Sequence, residues 1–315
     1  MNMSGETKTG ASVIEPEAVS NASFRRTIVA VPSDTQCGSV YGLMPAGEWS
    51  LAEGGSYIPN ELQDLIWKQW VECWGVVRAL RDEVPNTRLI VAHNGDAVEG
   101  FHHGTTEIIS LSVGEHERIH LASMDSALEI AGYDGDAGDL LYYVAGTTAH
   151  VGAGAESEDT IARQLGAVPS KPPGNDRDGR YVWEKLRLRV NGALFDIAHQ
   201  GPVTGSRAWL TGNILRLTLR SIYYDCLENG LEIPRCWVRS HRHRWIPPEL
   251  FRGANGEIEG FMTPCFQAMT GYVHQRFSYE LLSHIGMLIF VVEEDGRVSW
   301  QCPRVKVVQD DVVNV

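Results

Sequence analysis

Arg88-Leu89-Ile90-Val91-Ala92 runs, after one more residue, into Asn94-Gly95-Asp96. An unbroken apolar run of this length marks a strand buried on both faces. A Gly-Asp pair just beyond it is where such a strand hands over to a loop and presents a carboxylate. The same grammar recurs on either side. Ile28-Val29-Ala30-Val31 forms the core of a strand over Thr27 to Pro32 that reaches Asp34-Thr35-Gln36, and Leu140 to Ala145 reaches Gly146-Thr147-Thr148-Ala149-His150. Further on, Ala193 to Ala198 delivers His199, and Cys236-Trp237-Val238 delivers His241-Arg242-His243. Donors at strand ends can converge on one point, and no single segment supplies enough of them for a divalent cation. The five clusters therefore read together as a divided metal site.

The intervening segments predict helices. Pro59-Asn60-Glu61 opens a pattern in which Leu62, Leu65, Ile66, Trp70, Cys73, Trp74, Val77 and Leu80 recur at three- and four-residue spacing, and a second helical stretch runs from Val113 to Ala131. Strand, loop, helix, strand is the repeat of an α/β layered fold. The second half differs: Tyr181 to Val190 alternates and meets a hairpin signal at Asn191-Gly192. A helix over Ser206 to Glu228 then stops at Asn229-Gly230. Gly260 to Ala268, Gly286 to Glu293 and Val298 to Val308 read as strands. The expected architecture is two facing sheets with helices outside. Residues 1–25 and 309–315 read as tails around one domain over 26–308, with the Lys171 to Asp176 loop as the boundary between its halves.

Composition narrows the function. The 315 residues are 43% hydrophobic and 21% charged, the balance of a globular chain with a large core. A net charge of −13 argues against a broad basic surface for nucleic acid, although two bound divalent cations would draw a phosphate into one cleft. The six cysteines show no paired spacing and read as free thiols in a reducing compartment. No apolar stretch suits a signal peptide or a membrane span, so the expectation is a soluble cytoplasmic protein with no membrane partner.

The order Asp-X-His, Gly-Asp, Gly-Asn-His, His, Gly-His-X-His is that of the calcineurin-like metallophosphoesterases, and this chain resembles that family from Asp34 to His243. The resemblance implies a four-layer αββα fold with two divalent metal ions at the strand ends, Mn²⁺ first, with Mg²⁺, Fe or Zn²⁺ as alternatives. Carried over by position, Asp34, Gln36 and His243 serve the first metal, Asp96 bridges both, and His199 and His241 serve the second. The implied activity is hydrolysis of a phosphomonoester or phosphodiester, a nucleotide or nucleic-acid end among the candidates, by a hydroxide between the metals. His150 is the imidazole assigned to protonating the leaving group.

Three positions depart from the pattern. Gln36 replaces a histidine, substituting an amide for an imidazole and favouring harder metals. Gly146 to His150 lacks the Asn ligand and carries two extra residues, leaving Thr147 or Thr148 as the substitute. Ser240 replaces the leading glycine of Gly-His-X-His. These departures define the alternative, a catalytically degenerate relative acting as a binding or structural module.

Each residue also has a plainer reading. Asp34 suits an Asx turn, Asp96 a tight turn, His199 a satisfied core histidine, and His241 and His243 a solvated pair among arginines. His116 and His120 are spaced to share a helix face, read here as solvent-exposed. Glu99 is placed to orient a ligand. His102 and His103 read either as cleft contacts or as ordinary loop, and Arg207 as a phosphate contact. The loop from Tyr41 to Tyr57, with Trp49, is either a stacking wall for bases or core packing.

Overall fold

The computed structural model describes residues 24–102, 104–172, 179–202, 211–271, 273 and 282–308. Residues 1–23 and 309–315 of the expected tails, His103, Arg207 and residues 173–176 of the boundary loop lie outside them. Arg25, within the segment read as a tail, donates its amide to Asn86 O at 3.2 Å.

The chain runs through β1 (Arg26–Val31), a small hairpin of β2 (Trp49–Ser50) and β3 (Ser56–Tyr57), α1 (Glu61–Glu83), β4 (Thr87–His93) and α2 (Val113–Ala131). Next come β5 (Leu140–Val144), α3 (Thr148–Val151), α4 (Glu156–Gln164), β6 (Val182–Trp183), β7 (Leu186–Val190) and β8 (Ala193–Ile197). After α5 (Thr211–Glu228) follow β9 (Cys236–Arg239), β10 (Ile246–Gly253), β11 (Gly256–Met262), β12 (Leu282–Gly286), β13 (Leu288–Glu293), β14 (Val298–Gln301) and β15 (Arg304–Val308).

Six strands form one sheet in the order β14-β13-β1-β4-β5-β6, and five form a second in the order β10-β11-β9-β8-β7. In the first, β1, β4, β5 and β6 are parallel and β13 is antiparallel to β1. Period-two geometry explains the continuous apolar runs. Ile28, Ala30, Leu89, Val91, Leu141 and Tyr143 pack with Ile66, Trp70 and Trp74 of α1 and Ile119 and Met124 of α2. Their neighbours Val29, Val31, Ile90, Ala92, Tyr142 and Val144 face the second sheet, meeting Leu188, Phe195, Ile197, Val238 and Phe261. The far side of that sheet is covered by Leu215, Leu219 and Tyr223 of α5. The result is two facing mixed sheets between helical layers, as expected.

Helix α1 begins where the sequence says, because Asn60 Oδ1 accepts from Gln63 N at 2.9 Å while Gln63 Oε1 accepts from Asn60 N at 3.2 Å, a reciprocal cap. Several expected strands are divided. Tyr181 to Val190 breaks after Trp183, so that β6 joins the first sheet and β7 the second. Val298 to Val308 breaks at Pro303, which has no N–H for a ladder: β14 pairs with β13, whereas β15 pairs with β12 in a separate two-stranded sheet. Gly286 to Glu293 is likewise shared between β12 and β13. The strand read to Ala268 ends at Met262, ahead of Pro264. Beyond it Phe266 N donates to Asp34 O at 3.0 Å and Ala268 N to Tyr41 O at 3.0 Å, bracing the first donor loop.

The exposed reading of His116 and His120 is corrected: both are fully buried. The β2–β3 hairpin docks on the start of α2, with Trp49 Nε1 donating to Glu115 Oε1 at 2.6 Å, so this segment faces protein rather than solvent. That contact, with the Arg118 guanidinium 5.2 Å over the Trp49 ring, assigns Trp49 to packing. Among the described residues no helix is long and apolar enough to cross a membrane.

Candidate metal centre

Parallel pairing brings the C-terminal ends of β1, β4 and β5 to one edge of the first sheet, and β8 and β9 end at the facing edge of the second. The first two donor loops are laced together. Asp34 N donates to Gly95 O at 2.9 Å, Gln36 N to Asp96 O at 3.1 Å and Cys37 N to Ala97 O at 3.1 Å. Such close loops leave no room for side chains at their crossing points. A Cβ on Gly146 would lie 2.3 Å from Asp96 N, and one on Gly95 would lie 2.5 Å from His199 Nδ1. Glycine is required at both.

The side chains gather around Asp96, which is fully buried. Its Oδ2 lies 3.0 Å from His199 Nε2, 3.9 Å from His241 Nδ1 and 3.4 Å from Gln36 Nε2. Asp96, His199 and His241 each offer a ligand atom within 4.8 Å of the other two. Asp34 stands on the opposite side, its Oδ1 3.2 Å from His243 Nε2 and 4.0 Å from His199 Nε2. The six carried-over positions are thus neighbours, divided into an Asp34–His243 side and an Asp96–His199–His241 side, with Gln36 beside Asp96.

Of the two threonines expected near the site, Thr147 is the one that lies among the donors. Its hydroxyl is 3.2 Å from Asp96 Oδ2, 3.3 Å from His199 Nε2 and 3.2 Å from His241 Nδ1, placing an oxygen at the middle of the second donor group. Thr148 begins α3 instead. The two extra residues, Thr148 and Ala149, begin this four-residue helix, whose His150 turns Nδ1 onto Glu99 O at 2.8 Å. A carbonyl only accepts, so Nδ1 carries the hydrogen and Nε2 is the nitrogen that exchanges a proton. Ser240 is not a passive replacement for glycine: its Oγ accepts from Asn94 Nδ2 at 2.6 Å and from Thr263 Oγ1 at 2.9 Å.

Residues that sequence reading missed hold these donors. Asn94 O accepts from His199 Nδ1 at 2.7 Å, which turns Nε2 into the site and fixes the tautomer. Glu158 of α4 accepts from Ala97 N at 3.2 Å and Gly146 N at 2.7 Å, tying the Asp96 and Thr147 loops together. Burial, reinforced by Asp96, pushes its carboxyl up to about 8. Thr35, between two ligand candidates, hydrogen-bonds His120 Nδ1 at 3.0 Å, and His120 Nε2 meets Tyr143 OH at 2.9 Å. The Asn-Gly-Asp tripeptide is the one sequence signal pointing to Asn94; His120 is marked only by its spacing from His116, and nothing local marks Glu158.

Electrostatics reports the concentration of charge. Burial pulls the His199 imidazole down, but Asp96 and Asp34 outweigh it and push it up to about 10. Burial penalises the Asp96 carboxylate, yet His199 and His241 hold it well below the usual range; Asp34 is lowered in the same way by His199 and His243. The donor set fits divalent cations on an independent ground. Gln36 Oε1 is buried without a hydrogen-bond partner among the described residues, and Asp34 Oδ1 meets the His243 imidazole at 3.2 Å but makes no aligned hydrogen bond. Orphaned buried oxygens at a polar site are costly unless a cation takes them up.

The backbone is strained at the same place. Asp34, Gln36, Asp96, His241 and His243 have φ of 51°, 44°, 55°, 74° and 50°, five of the eight non-glycine residues with positive φ among the described residues. Left-handed backbone in such residues is uncommon and clusters at functional sites.

No protein-family model matches the chain, and no curated protein matches it. Among solved structures it is similar to a phosphatase from Mycoplasma pneumoniae, at 10% identity over 91% of this chain and 94% of that one, with a TM-score of 0.39. It is also similar to Vps29 from Chaetomium thermophilum, at 9% identity over 90% and 98%, with a TM-score of 0.33. For wild-type Vps29 complexed with Zn²⁺ from Entamoeba histolytica the identity is 10% over 89% and 98%, and the TM-score 0.30. Similarity this low carries no weight for function, which rests on the side chains above.

Proposed function

We propose that the chain is a metal-dependent phosphoesterase acting on a phosphomonoester or phosphodiester, with a nucleotide or nucleic-acid end as its substrate class. One observation carries this reading: the buried Asp96 carboxylate stands among the other donors, its Oδ2 3.0 Å from His199 Nε2 and 3.9 Å from His241 Nδ1, with the Gln36 amide donating to it at 3.4 Å. Asp34, Gln36, Asp96 and His243 would hold one divalent cation, and Asp96, His199, His241 and the Thr147 hydroxyl the other. Bound there, the pair supplies a water of lowered pKa and offsets charge developing on the phosphoryl oxygens.

The chain's own residues do the rest. Asn94 O, by accepting from His199 Nδ1–H, leaves Nε2 as the nitrogen that would bind a cation once its own proton is displaced. Glu158 and the loop amides fix the spacing of Asp96 and Thr147. His150, with Nδ1–H on Glu99 O, exchanges a proton through Nε2; as imidazolium it donates to the departing ester oxygen. The free thiols support a reducing, cytoplasmic setting.

The test is turnover by the purified full chain. With Mn²⁺ it is expected to hydrolyse a bis-aryl phosphodiester or an aryl phosphate, and Asp96→Asn to abolish this. Absence of turnover with Mn²⁺, Mg²⁺, Fe²⁺ and Zn²⁺ alike would return the chain to the binding-module reading.

A further inference from the structure

Beside the Asp96 centre stands a second group of donors, none of them among its six carried-over ligand positions. Glu99 is buried, and among the described residues Oε1 faces His102 Nε2 at 2.8 Å and Oε2 accepts from Gln267 Nε2 at 2.7 Å. His150 packs edge-on against His102, with 4.3 Å between ring centroids. Glu99, His102 and His150 each offer one ligand atom, and the three lie within 4.8 Å of one another.

We propose that Glu99, His102 and His150 form a third divalent-cation site, of the kind that takes Zn²⁺. Two imidazoles and a carboxylate are a recurrent zinc donor set that leaves the fourth position open to water. What distinguishes this group from a chance cluster is that two of its three donors, Glu99 and His150, are oriented from behind, as zinc ligands are. Gln267 holds Glu99 and also reaches Ser39 Oγ at 3.2 Å. The Glu99 carbonyl holds His150 Nδ1–H at 2.8 Å, so Nε2 is the nitrogen that binds. Glu99 is buried while both histidines are partly exposed, which gives a cation a way in.

The site stands on these three residues alone. Only its consequence rests on the phosphoesterase reading: cation and proton compete for His150 Nε2, so a zinc ion there removes the proton donor.

Equilibrium dialysis against Zn²⁺, with elemental analysis of the full chain, tests the site. Wild type, His102→Gln and Glu99→Gln are measured, each also in an Asp96→Asn background. Both variants are expected to bind one equivalent fewer than their parent in both backgrounds. If the Asp96 centre binds nothing, the total falls but that difference of one persists, so the two readings fail separately. Equal stoichiometry in His102→Gln and its parent overturns the proposal. His102 lies on a loop and is partly exposed, so its variant decides the matter alone if the buried Glu99→Gln does not fold.

Discussion

Thr147 holds both oxygens of Asp96: its amide donates to Oδ1 at 2.5 Å and its hydroxyl to Oδ2 at 3.2 Å. A carboxylate gripped at both ends is already oriented before any ligand arrives, and the same hydroxyl stands between His199 and His241.

Thr147→Val keeps the shape and the amide contact but deletes the hydroxyl. Mn²⁺ affinity is expected to fall about 10–100-fold, the range for losing a polar partner at a metal site. Titration calorimetry reads this directly. Thr147→Asn should retain binding, and loss in both variants to the same degree would mean that the oxygen is not a donor.

Gln36→His places an imidazole where the amide now leaves Oε1 without a partner. The softer nitrogen donor is expected to shift preference toward Zn²⁺, roughly tenfold relative to Mn²⁺. Competition dialysis with the two metals measures the ratio, and an unchanged ratio would remove Gln36 from the ligand set.

Acid should unfold the protein through its neutral histidines. Burial pulls His120 down to about 3 and, helped by nearby arginines, His284 down to about 4. Both sit below the unfolded value of about 6.5, so the unfolded chain takes up protons that the folded chain refuses. Their contribution is therefore complete above about pH 6.5 and is lost as pH falls toward 4 and below. Urea unfolding with the centre chelated should show a midpoint falling through this window. His120→Gln, less stable at pH 7, should show a shallower fall.

Beneath the site, Arg239 Nη2 meets Asp196 Oδ1 at 2.8 Å with both side chains buried. Burial pulls the guanidinium's pKa down and Asp196 only partly restores it. Asp196→Ala would strand that charge and is expected to destabilise the fold by about 3–5 kcal/mol, seen as a lowered denaturant midpoint.

Much of the fold was legible because its central strands are buried on both faces, so β1, β4 and β5 appear as unbroken apolar runs ending at polar residues. The α1 start was legible for a local reason, its reciprocal cap. What stayed hidden depends on distant docking. Thr147 takes its position only because the two extra residues wind into α3, and Glu158 matters only because α4 lays it across two loops. His116 and His120 look solvated in sequence, since the groups they are buried against come from other elements: His116 packs on Gly38 and accepts from Gly100 N, and His120 meets Thr35 and Tyr143. The breaks at Pro264 and Pro303 were visible in principle, as prolines inside would-be strands.

The left-handed backbone at Asp34, Gln36, Asp96, His241 and His243 sets two demands against each other. Glycine at any of the five would relieve about 1 kcal/mol or more of backbone strain. At Asp96 it would also leave the His199 imidazole without its partner at 3.0 Å, and at Asp34 it would leave His243 without its own at 3.2 Å. The aspartates and histidines therefore hold one another in a backbone that each alone would relax, so they stand or fall as a set.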